Sequence, residues 1–170
     1  MYNNELYHHG IKGMKWGIRR YQNADGSLTA KGMKRYSNVD TITSKKTGEK
    51  LHVAQMRNKK SSDPSRDFEI IRDGKKVGNL FLEKQGDNLY LNWIDTKKSE
   101  RGKGYANSIM DYTIGYAKKN GYKTMTLEVP GSSNDARHIY EKHGFKIDKS
   151  RKGTEDDIWE GLTAMKKKLK

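Results

Sequence analysis

The chain contains no cysteine and only 2 prolines among its 170 residues. The absence of cysteine excludes disulfides, thiolate nucleophiles and cysteine-ligated metals. Apolar residues are also few, at 32% of the chain, and no apolar run approaches the roughly 18 residues that cross a bilayer. Because the N-terminus has no apolar stretch of the signal-peptide type, we expect neither a cleaved secretory signal nor a membrane partner.

Negative charge is scarce relative to positive charge. The chain has 35 lysine and arginine residues against 21 aspartate and glutamate residues, which leaves a net charge of +14. This balance favours acidic partners such as nucleic acid, a polyanionic surface or a phosphorylated ligand. The low apolar content predicts a small core with part of the chain outside it, and the length fits one domain plus an appendage.

The most informative stretch is W-I-D-T-K-K-S-E-R-G-K-G, residues 93–104. Alternating apolar and polar residues before it predict a strand over Leu89–Ile94, and helical spacing of apolar residues after it predicts a helix. Glycines let the backbone approach a ligand, and the first turn of a helix offers free N–H groups to an anion. Arg101 and Lys103 add positive charge, so the pattern predicts a phosphate-binding turn.

This turn does not fit a P-loop, because Gly104 is followed by Tyr105, and its glycine spacing does not fit a dinucleotide fingerprint. The string R-x-x-G-x-A over residues 101–106 instead resembles the pyrophosphate-binding motif of the GNAT superfamily of acyl-CoA N-acyltransferases. Taken alone, the same string also fits a plain basic surface turn.

A second motif follows at the distance that this family shows. Residues 124–129 alternate as a strand does, and Ser132 or Ser133 can cap a helix that ends at Gly144. The run A-x-x-x-Y-E-K-x-G-F, residues 136–145, is similar to the second GNAT signature. The chain is therefore identified as a member of this family over about residues 50–170.

The resemblance implies an α/β fold of the α+β kind, with a mixed, mostly antiparallel sheet, flanking helices and acetyl-CoA as cosubstrate. Backbone N–H groups of the turn would hold the pyrophosphate, and the end of the preceding strand would pair with the pantetheine amides. The family often has asparagine three residues before the alanine of its second motif, where this chain has Ser133 and places asparagine one residue later. The cofactor-binding residues implied are Ile94, Asp95, Thr96, Arg101, Gly102, Lys103, Gly104, Tyr105, Ala106 and Asn134.

Acyl transfer to an amine requires a proton acceptor for the amine and a proton donor for the leaving thiolate. By resemblance, Tyr140 matches the family's thiolate-protonating tyrosine, and a phenol with an ordinary pKa of about 10 is a reasonable acid for this step. A core-facing tyrosine without a catalytic role is the alternative. Glu128 is the candidate base, although Asp95 or a water molecule could serve and Glu128 could be only an exposed strand residue.

The remaining pattern predicts further strands and one departure from the family. Asp73-Gly74 predicts a hairpin turn between two strands. GNAT proteins usually place two helices between their first two strands, whereas only residues 58–66 are available here, so these helices are shortened or absent. The acceptor wall is then missing or comes from the N-terminal segment or a partner, and an open cleft suits a macromolecular acceptor. The strands predicted are 51–56, 68–71, 77–82, 89–94, 124–129, one opened by Phe145 and Ile147, and 158–165 before a lysine tail at 166–168.

Residues 1–39 differ in composition from residues 40–170, which form the predicted acyltransferase domain. Seven lysines and arginines against two acidic residues leave this N-terminal segment at +5, with aromatic residues interleaved. It is expected to be extended or partner-bound and to contact nucleic acid or another protein, unless it is a solvated tail. No metal site is expected at His8 and His9, because no further ligand follows at a workable spacing.

The N-terminal segment has a resemblance of its own. H-H-G-I-K-G-M-K-W-G-I-R-R-Y, followed by D-G-S-L-T-x-x-G-x-x-R-Y, is similar to a segment that recurs in virion-associated proteins of phages and prophages of Gram-positive bacteria. This resemblance implies a phage or prophage origin, a location in the host cytoplasm or the virion, and a virion protein or nucleic acid as partner.

Two functions are therefore open. The first is an N-acetyltransferase that moves an acetyl group from acetyl-CoA to an amine, such as one on a protein or another macromolecule. The second is a virion-associated structural or nucleic-acid-binding protein with a catalytically degenerate GNAT fold. The intact motif at 101–106 and Tyr140 favour the enzyme, whereas the N-terminal segment, the absent helices and the charge favour the binding protein.

Overall fold

A computed structural model describes residue 21 and residues 29–58, 60–150 and 161–170. Within these residues the helices are Ala30–Arg35 (α1), Tyr105–Lys119 (α2) and Asn134–Lys142 (α3), with a short 3-10 turn at Lys98–Glu100. The strands are Tyr36–Thr43 (β1), Lys50–Met56 (β2), Ser65–Arg72 (β3), Lys75–Gln85 (β4), Asn88–Thr96 (β5), Thr124–Pro130 (β6), Lys146–Ile147 (β7) and Leu162–Lys168 (β8).

The strands form one sheet in the order β1-β2-β3-β4-β5-β6-β8-β7. Strands β5 and β6 are parallel, and the other neighbours in the described sheet are antiparallel. A parallel connection needs a crossover, which α2 supplies. The predicted mixed, mostly antiparallel sheet with flanking helices is confirmed.

The turn between β3 and β4 forms as its sequence predicts. Asp73 has φ 47° and Gly74 has φ 76°, so both central residues of this two-residue turn are left-handed. That conformation matches the twist of the flanking strands, and Asp-Gly is among the pairs that adopt it most readily. Strands β3 and β4 consequently pair from Arg72↔Lys75 through Ser65↔Glu83, with one irregularity after Ile70.

One face of the sheet carries the main core. Alternate residues of the central strands, such as Leu80 and Leu82 of β4, are buried there against the apolar stripe of α2, which includes Ile109 and Met110. Residues of α3 pack against the same cluster. The opposite face has a smaller cluster of Tyr36, Ala54 and Ile71, with Tyr21, Val39 and Met56 packed around it.

The structure corrects the N-terminal limit of the folded part. The predicted boundary between residues 39 and 40 lies inside β1, and α1 precedes that strand. Thr29 caps α1 by accepting a hydrogen bond of 3.1 Å from the N–H group of Gly32. The side chain of Tyr36 is buried at 3% exposure, and its hydroxyl donates to Glu69 at 2.6 Å. This long-range packing, invisible in the local pattern, makes residues 30–39 part of the sheet assembly instead of an extended segment.

The ends of two other elements also differ from expectation. The last strand was predicted over residues 158–165, but β8 runs from Leu162 to Lys168, and residues 158–160 lie outside the described ranges. The predicted lysine tail is strand because β8 pairs with β6 as far as Lys168. Ser133 occupies the N-cap position of α3, yet its side chain makes no capping hydrogen bond.

The short connection between β2 and β3 is as predicted. Strand β2 ends at Met56 and β3 begins at Ser65, and the described residues between them contain no helix. This departure from the usual pattern leaves the outer face of β4 and β5 without a helix from this connection. None of the described helices is long and apolar enough to cross a membrane.

Candidate active site

Strands β5 and β6 separate at the centre of the sheet. Their pairing extends from Asn88↔Thr124 to Leu91↔Leu127 and then stops. Beyond that point β5 stays paired with β4 as far as Thr96, while β6 stays paired with β8 as far as Pro130. The edge of residues 92–96 that faces β6 therefore has no strand partner among the described residues.

A β-bulge marks the point of separation. Phe81 of β4 lies opposite Trp93, whereas the next residue, Leu82, lies opposite Leu91, so Asn92 is the extra residue in β5. A bulge bends its strand and increases the local twist, and bulges are frequent beside active sites. The bulge therefore accounts for the divergence of β5 from its parallel neighbour.

The glycine turn follows β5 at this edge of the sheet. Gly102 and Gly104 have φ 77° and 76°, and Gly104 is the N-cap of α2 without any side-chain cap. The Arg101 N–H group is already bonded to the carbonyl of Lys98, at 3.3 Å. The N–H groups of residues 102–107 donate to no acceptor within the described part of the chain. Free N–H groups at a helix N-terminus form an anion site, so the turn has the donors that a pyrophosphate requires.

The hairpin between β1 and β2, residues 44–49, donates hydrogen bonds to carbonyl oxygens of the glycine turn. Ser44 is buried, and its hydroxyl donates to the carbonyl of Lys103 at 2.8 Å. The ammonium group of Lys46 donates to the carbonyl of Gly102 at 2.6 Å. A Cβ atom on Gly104 would lie 2.8 Å from the Cβ atom of Lys46, so only glycine fits this approach. These contacts use carbonyl oxygens and leave the N–H groups available.

A network of ion pairs and hydrogen bonds also holds the glycine turn in place. Arg72 pairs with Glu49 at 3.0 Å and with Glu100 at 2.9 Å, and Lys103 pairs with Glu100 at 2.8 Å. The hydroxyl of Tyr105 accepts from Arg72 at 2.7 Å and donates to Glu49 at 2.6 Å. Burial and the bond to Glu49 raise the pKa of Tyr105, and the bond from Tyr105 lowers the pKa of Glu49. The Tyr105 side chain is thus a core anchor, and only its backbone can face a ligand.

The other predicted cofactor residues lie around the same turn. Ile94 packs partly buried against the core, and Ala106 is in the first turn of α2. Arg101 is 64% exposed, lies 3.6 Å from Asp95 and donates from Nε to the carbonyl of Thr96 at 3.3 Å. The structure therefore brings residues 94–96 and 101–106 together, and their contact with a cofactor stays a prediction.

Asn134 stands apart from this group. It is the first residue of α3, is exposed, and donates its backbone N–H group to the carbonyl of Ser132 at 3.0 Å. Because β5 and β6 are parallel, the N-termini of α2 and α3 follow the same edge of the sheet. Its role with the cofactor also stays a prediction.

Tyr140 lies on α3 on the core side of the sheet. Its ring packs edge-on against Phe145 at 6.1 Å between centroids, and the residue is partly buried. Burial raises the pKa of Tyr140, so the phenol is protonated at neutral pH. No hydrogen bond to its hydroxyl comes from the residues that the structure describes. The packing fits a structural tyrosine, and the protonated hydroxyl fits a proton donor.

Glu128 lies on the other side of the sheet. Its neighbours Leu127 and Val129 are buried in the same core cluster that Tyr140 packs against, so strand alternation directs Glu128 to the opposite face. There the hydroxyl of Tyr90 donates to its carboxylate at 3.4 Å. The two predicted catalytic side chains therefore approach the sheet from opposite faces, and neither role is tested by this geometry.

The sequence does not predict that four residues contact the glycine turn or its supporting network. They are Ser44, Lys46, Glu49 and Arg72. They come from a hairpin and a strand that are distant in sequence from the turn. The string S-K-K-T-G-E predicts only a polar turn, so their contact with the glycines depends on the pairing of β1 to β5. His8 and His9 lie outside the described residues.

A mixed sheet whose one parallel pair separates beside a glycine turn is a fold that this chain shares with solved acetyltransferases. Residues 36–145 match the model of the acetyltransferase (GNAT) family, and the chain belongs to this family. Membership confirms the predicted acetyl-CoA cosubstrate at the level of the family. Residues 1–23 match the model of a family of unknown function, DUF7211. No curated protein matches the chain.

Several solved structures share the fold at low sequence identity. An acetyltransferase from Bacillus subtilis in complex with CoA is 20% identical, with a TM-score of 0.55 over 63% of this chain and 78% of that one. The ribosomal-protein-S18-alanine N-acetyltransferase of Escherichia coli is 21% identical, with a TM-score of 0.56 over 64% and 72%. Spermidine N-acetyltransferase from Vibrio cholerae, in complex with CoA and spermine, is 17% identical, with a TM-score of 0.58 over 64% and 68%.

Proposed function

We propose that this protein is an N-acetyltransferase that transfers the acetyl group of acetyl-CoA to an amine. The observation that carries the proposal is the row of free N–H groups at residues 102–107 beside the unpaired edge of β5. A thioester with a pyrophosphate and amide groups needs both features, the first for its phosphates and the second for its pantetheine arm. Family membership supports the same donor.

The chain's residues would bind the donor in a defined order along this edge. Backbone N–H groups of residues 102–107 receive the pyrophosphate, with Arg101 exposed beside them. The unpaired edge at 92–96 offers N–H and C=O groups to the pantetheine amides, as a neighbouring strand would. Lys46 supplies charge at the turn in addition to the predicted Arg101 and Lys103.

The reaction needs two proton transfers, and the two candidate residues for them lie on opposite faces of the sheet where β5 and β6 separate. The amine nitrogen attacks the thioester carbonyl carbon, the C–N bond forms and the C–S bond breaks. Glu128, or a water molecule in its place, accepts the proton of the amine on the outer face. Tyr140 donates its proton to the departing sulfur from the core side and regains one from solvent. Tyr140 carries its proton at neutral pH, as a donor must, because the ordinary pKa of a phenol is about 10 and burial raises that of Tyr140.

We further propose a macromolecular acceptor, such as an amine on a protein. The connection from β2 to β3 contributes no helical wall in its described residues, so no helix of this connection covers the outer face of β4 and β5 there. On that face Tyr21 packs against Tyr36, Ala54 and Ile71, and Arg35 of α1 pairs with Glu69 of β3 at 2.9 Å, so these described contacts lie at β1–β3. Among the residues that the structure describes, the N-terminal part therefore supplies a wall at β1–β3, and a bulky acceptor would use the face of β4 and β5. The resemblance of this part to phage proteins supports a phage or prophage origin.

A second candidate is a virion-associated or nucleic-acid-binding protein with a degenerate site. It is favoured by Lys146 and Lys166, which lie directly opposite each other on β7 and β8, with Lys168 exposed two residues further along. Like charges directly opposite destabilise a sheet, and a polyanion would relieve the repulsion. The net charge of +14 points to the same kind of partner.

Two measurements on the full chain separate these functions. If the protein binds acetyl-CoA, the ligand at about 100 times its Kd should raise the free energy of unfolding by about 2.7 kcal/mol, which thermal unfolding detects. Transfer of radiolabelled acetyl groups to a peptide panel, a polyamine panel and a bacterial protein extract then tests catalysis. Stabilisation with transfer supports the enzyme, stabilisation without transfer to any acceptor supports the degenerate fold, and the absence of stabilisation overturns donor binding.

A further inference from the structure

The face of the sheet opposite α2 and α3 carries two adjacent aromatic side chains. Trp93 of β5 is 62% exposed, the largest exposed fraction among the large apolar side chains that the structure describes. Phe81 of β4 lies directly opposite Trp93 and is partly exposed. Its neighbours Leu80 and Leu82 are buried in the core, so strand alternation directs Phe81 and Trp93 to the outer face. Aromatic residues exposed together favour an interaction surface, because they are enriched where proteins bind partners.

Three carboxylates surround this aromatic pair. Strand pairing places Asp67 of β3 directly opposite Phe81, and it places Glu83 and Asp95 two residues further along β4 and β5 on the same face. None of the nine residues that pair in these three rows of β3, β4 and β5 is lysine or arginine, although the whole chain has a net charge of +14. We call this surface the Trp93 face, and its members are Asp67, Phe81, Glu83, Trp93 and Asp95.

The carboxylates of the Trp93 face are weakly neutralised. Asp67 is exposed, and its carboxylate has neither an ion pair nor a hydrogen bond with the residues that the structure describes. Burial and the nearby Asp63 raise the pKa of Asp67, so an added cation would be favourable there. Glu83 accepts hydrogen bonds from two uncharged amide side chains, both at 3.3 Å. Asp95 lies 3.6 Å from Arg101, which is 64% exposed, so this ion pair is weak.

We propose that the Trp93 face docks a lysine-rich segment of a protein acceptor, in which the lysine that receives the acetyl group has lysine or arginine neighbours. The proposal rests on the proposed function and names the chemistry of its acceptor. The face includes residues of β5 where that strand separates from β6, and the candidate base Glu128 points to the same side of the sheet. A segment held there would present one of its amines to the proposed site.

Charge and spacing favour a basic peptide over other occupants. The indole ring of Trp93 attracts ammonium and guanidinium groups, and the aliphatic stems of lysine cover aromatic surface. Residues two apart on a strand are separated by about 7 Å, which is also the repeat of alternate side chains in an extended peptide. Successive lysines can therefore lie over the successive rows of the Trp93 face. The same carboxylates repel a polyanion, so this partner differs from the one that would bind the lysines of β7 and β8.

The first measurement is fluorescence anisotropy of labelled peptides with the full chain, in the absence of acetyl-CoA. One peptide has lysine at every second residue, and the comparison peptide keeps only the central lysine and has glutamine at the other lysine positions. We expect the lysine-rich peptide to bind about 5- to 30-fold more tightly, the sum of a few exposed ion pairs. Its affinity should fall with added salt, because exposed charges are screened. With acetyl-CoA added, mass spectrometry of the two peptides should show a higher kcat/KM for the lysine-rich one.

Two variants test the carboxylates and the aromatic residue separately. Asp67→Asn with Glu83→Gln removes two charges while preserving side-chain shape, and it should remove most of the preference for the lysine-rich peptide. The matched control is Asp135→Asn with Glu141→Gln, because both are exposed residues of α3, which packs on the other side of the sheet. The control should keep the full preference. Trp93→Ala should weaken binding of the lysine-rich peptide by about 2- to 10-fold.

The outcomes that overturn the inference are distinct from those that overturn the proposed function. Equal affinity for the two peptides, or equal weakening in the control variant, would overturn docking on the Trp93 face even where acetyl-CoA still stabilises the protein. Peptide binding without transfer from bound acetyl-CoA would overturn its role with the acceptor. Absence of stabilisation by acetyl-CoA would overturn the proposed function, and the acceptor role with it.

Two further outcomes would assign the Trp93 face to another occupant and overturn the proposal. Complete displacement of the lysine-rich peptide by an equal concentration of a linear triamine would assign the face to small polyamines. Self-association of the full chain that Trp93→Ala abolishes, measured by analytical ultracentrifugation, would assign it to a second copy of this chain. Melting temperatures of the variants identify any loss of affinity that comes from damage to the fold.

Discussion

The hydroxyl of Tyr105, the first residue of α2, donates a hydrogen bond of 2.6 Å to the carboxylate of Glu49, in the hairpin between β1 and β2. Arg72 of β3 contacts both groups, at 2.7 Å and 3.0 Å. Three segments of the chain thus meet behind the glycine turn. Because this contact is buried at Tyr105, the orientation of the turn depends on the pairing of strands that precede it by many residues.

Replacing Tyr105 with phenylalanine removes this hydroxyl and keeps the ring in the core. We expect a loss of about 1 kcal/mol in the free energy of unfolding, the usual net value of one hydrogen bond. Acetyl-CoA affinity should fall as well, because the turn loses its link to the hairpin. Urea unfolding and titration measure the two effects. Tyr122→Phe is the control, and an equal loss in both variants would contradict the role of the network.

The two glycines of the turn should respond differently to substitution. Gly102 and Gly104 both have positive φ, so alanine costs about 1–2 kcal/mol of backbone strain at either position. Only at Gly104 does the added Cβ meet a neighbour, Lys46, whereas nothing lies within 4 Å at Gly102. Gly104→Val should therefore abolish acetyl-CoA binding, while Gly102→Ala should keep measurable affinity by isothermal titration. Unchanged affinity in Gly104→Val would remove the turn from the binding site.

Tyr140→Phe separates donor binding from chemistry. Loss of the hydroxyl should leave the Kd for acetyl-CoA unchanged and lower kcat by about 10²- to 10⁴-fold, the usual contribution of a general acid. In the unmodified protein, activity should fall as the pH rises through the raised pKa of Tyr140, because the donor must be protonated. The variant should lack this alkaline fall. Normal turnover in the variant would make Tyr140 a structural residue.

The carboxylate of Glu69 should stabilise the packing of the N-terminal part. Burial raises the pKa of Glu69, but hydrogen bonds from Tyr36 and Arg35 outweigh burial and lower it. The stabilisation is therefore complete above the ordinary value of about 4.3 and is lost as the pH falls through the lowered pKa. Glu69→Gln should cost about 1–3 kcal/mol at pH 7 and less at pH 3 in urea unfolding. A cost that does not vary with pH would assign the effect to packing.

Two N-terminal truncations should have different consequences. Removing residues 1–20 deletes no residue of the described sheet, so the protein should fold and bind acetyl-CoA. Removing residues 1–39 deletes α1, half of β1 and the buried Tyr36, so it should lower the melting temperature strongly. Thermal unfolding with and without acetyl-CoA checks both. Equal melting temperatures of the two truncated proteins would instead support the predicted domain boundary between residues 39 and 40. Nucleic-acid binding can be measured across a salt series for the protein that lacks residues 1–20. Weaker binding than that of the full chain would support a binding role for residues 1–20.

The amino-acid sequence by itself determined the features that depend on neighbouring residues. Asp73-Gly74 forms the expected left-handed turn because the conformation belongs to those two residues. The strand and the helix within residues 88–119 follow from the spacing of their apolar residues, and the turn between them follows from the backbone conformations that glycine allows. The absence of helices among the described residues between β2 and β3 follows from the number of residues available.

Only the tertiary structure decided which distant segments meet. Sequence patterns placed residues 36–39 outside the sheet, because β1 has few buried positions and Tyr36 is buried through packing with residues distant in sequence, such as Tyr21, Ala54 and Ile71. They placed Lys166–Lys168 in a tail, because pairing with β6, and not apolar alternation, makes those lysines strand. Contacts of Ser44 and Lys46 with the turn arise from strand pairing, which joins residues that no local pattern relates.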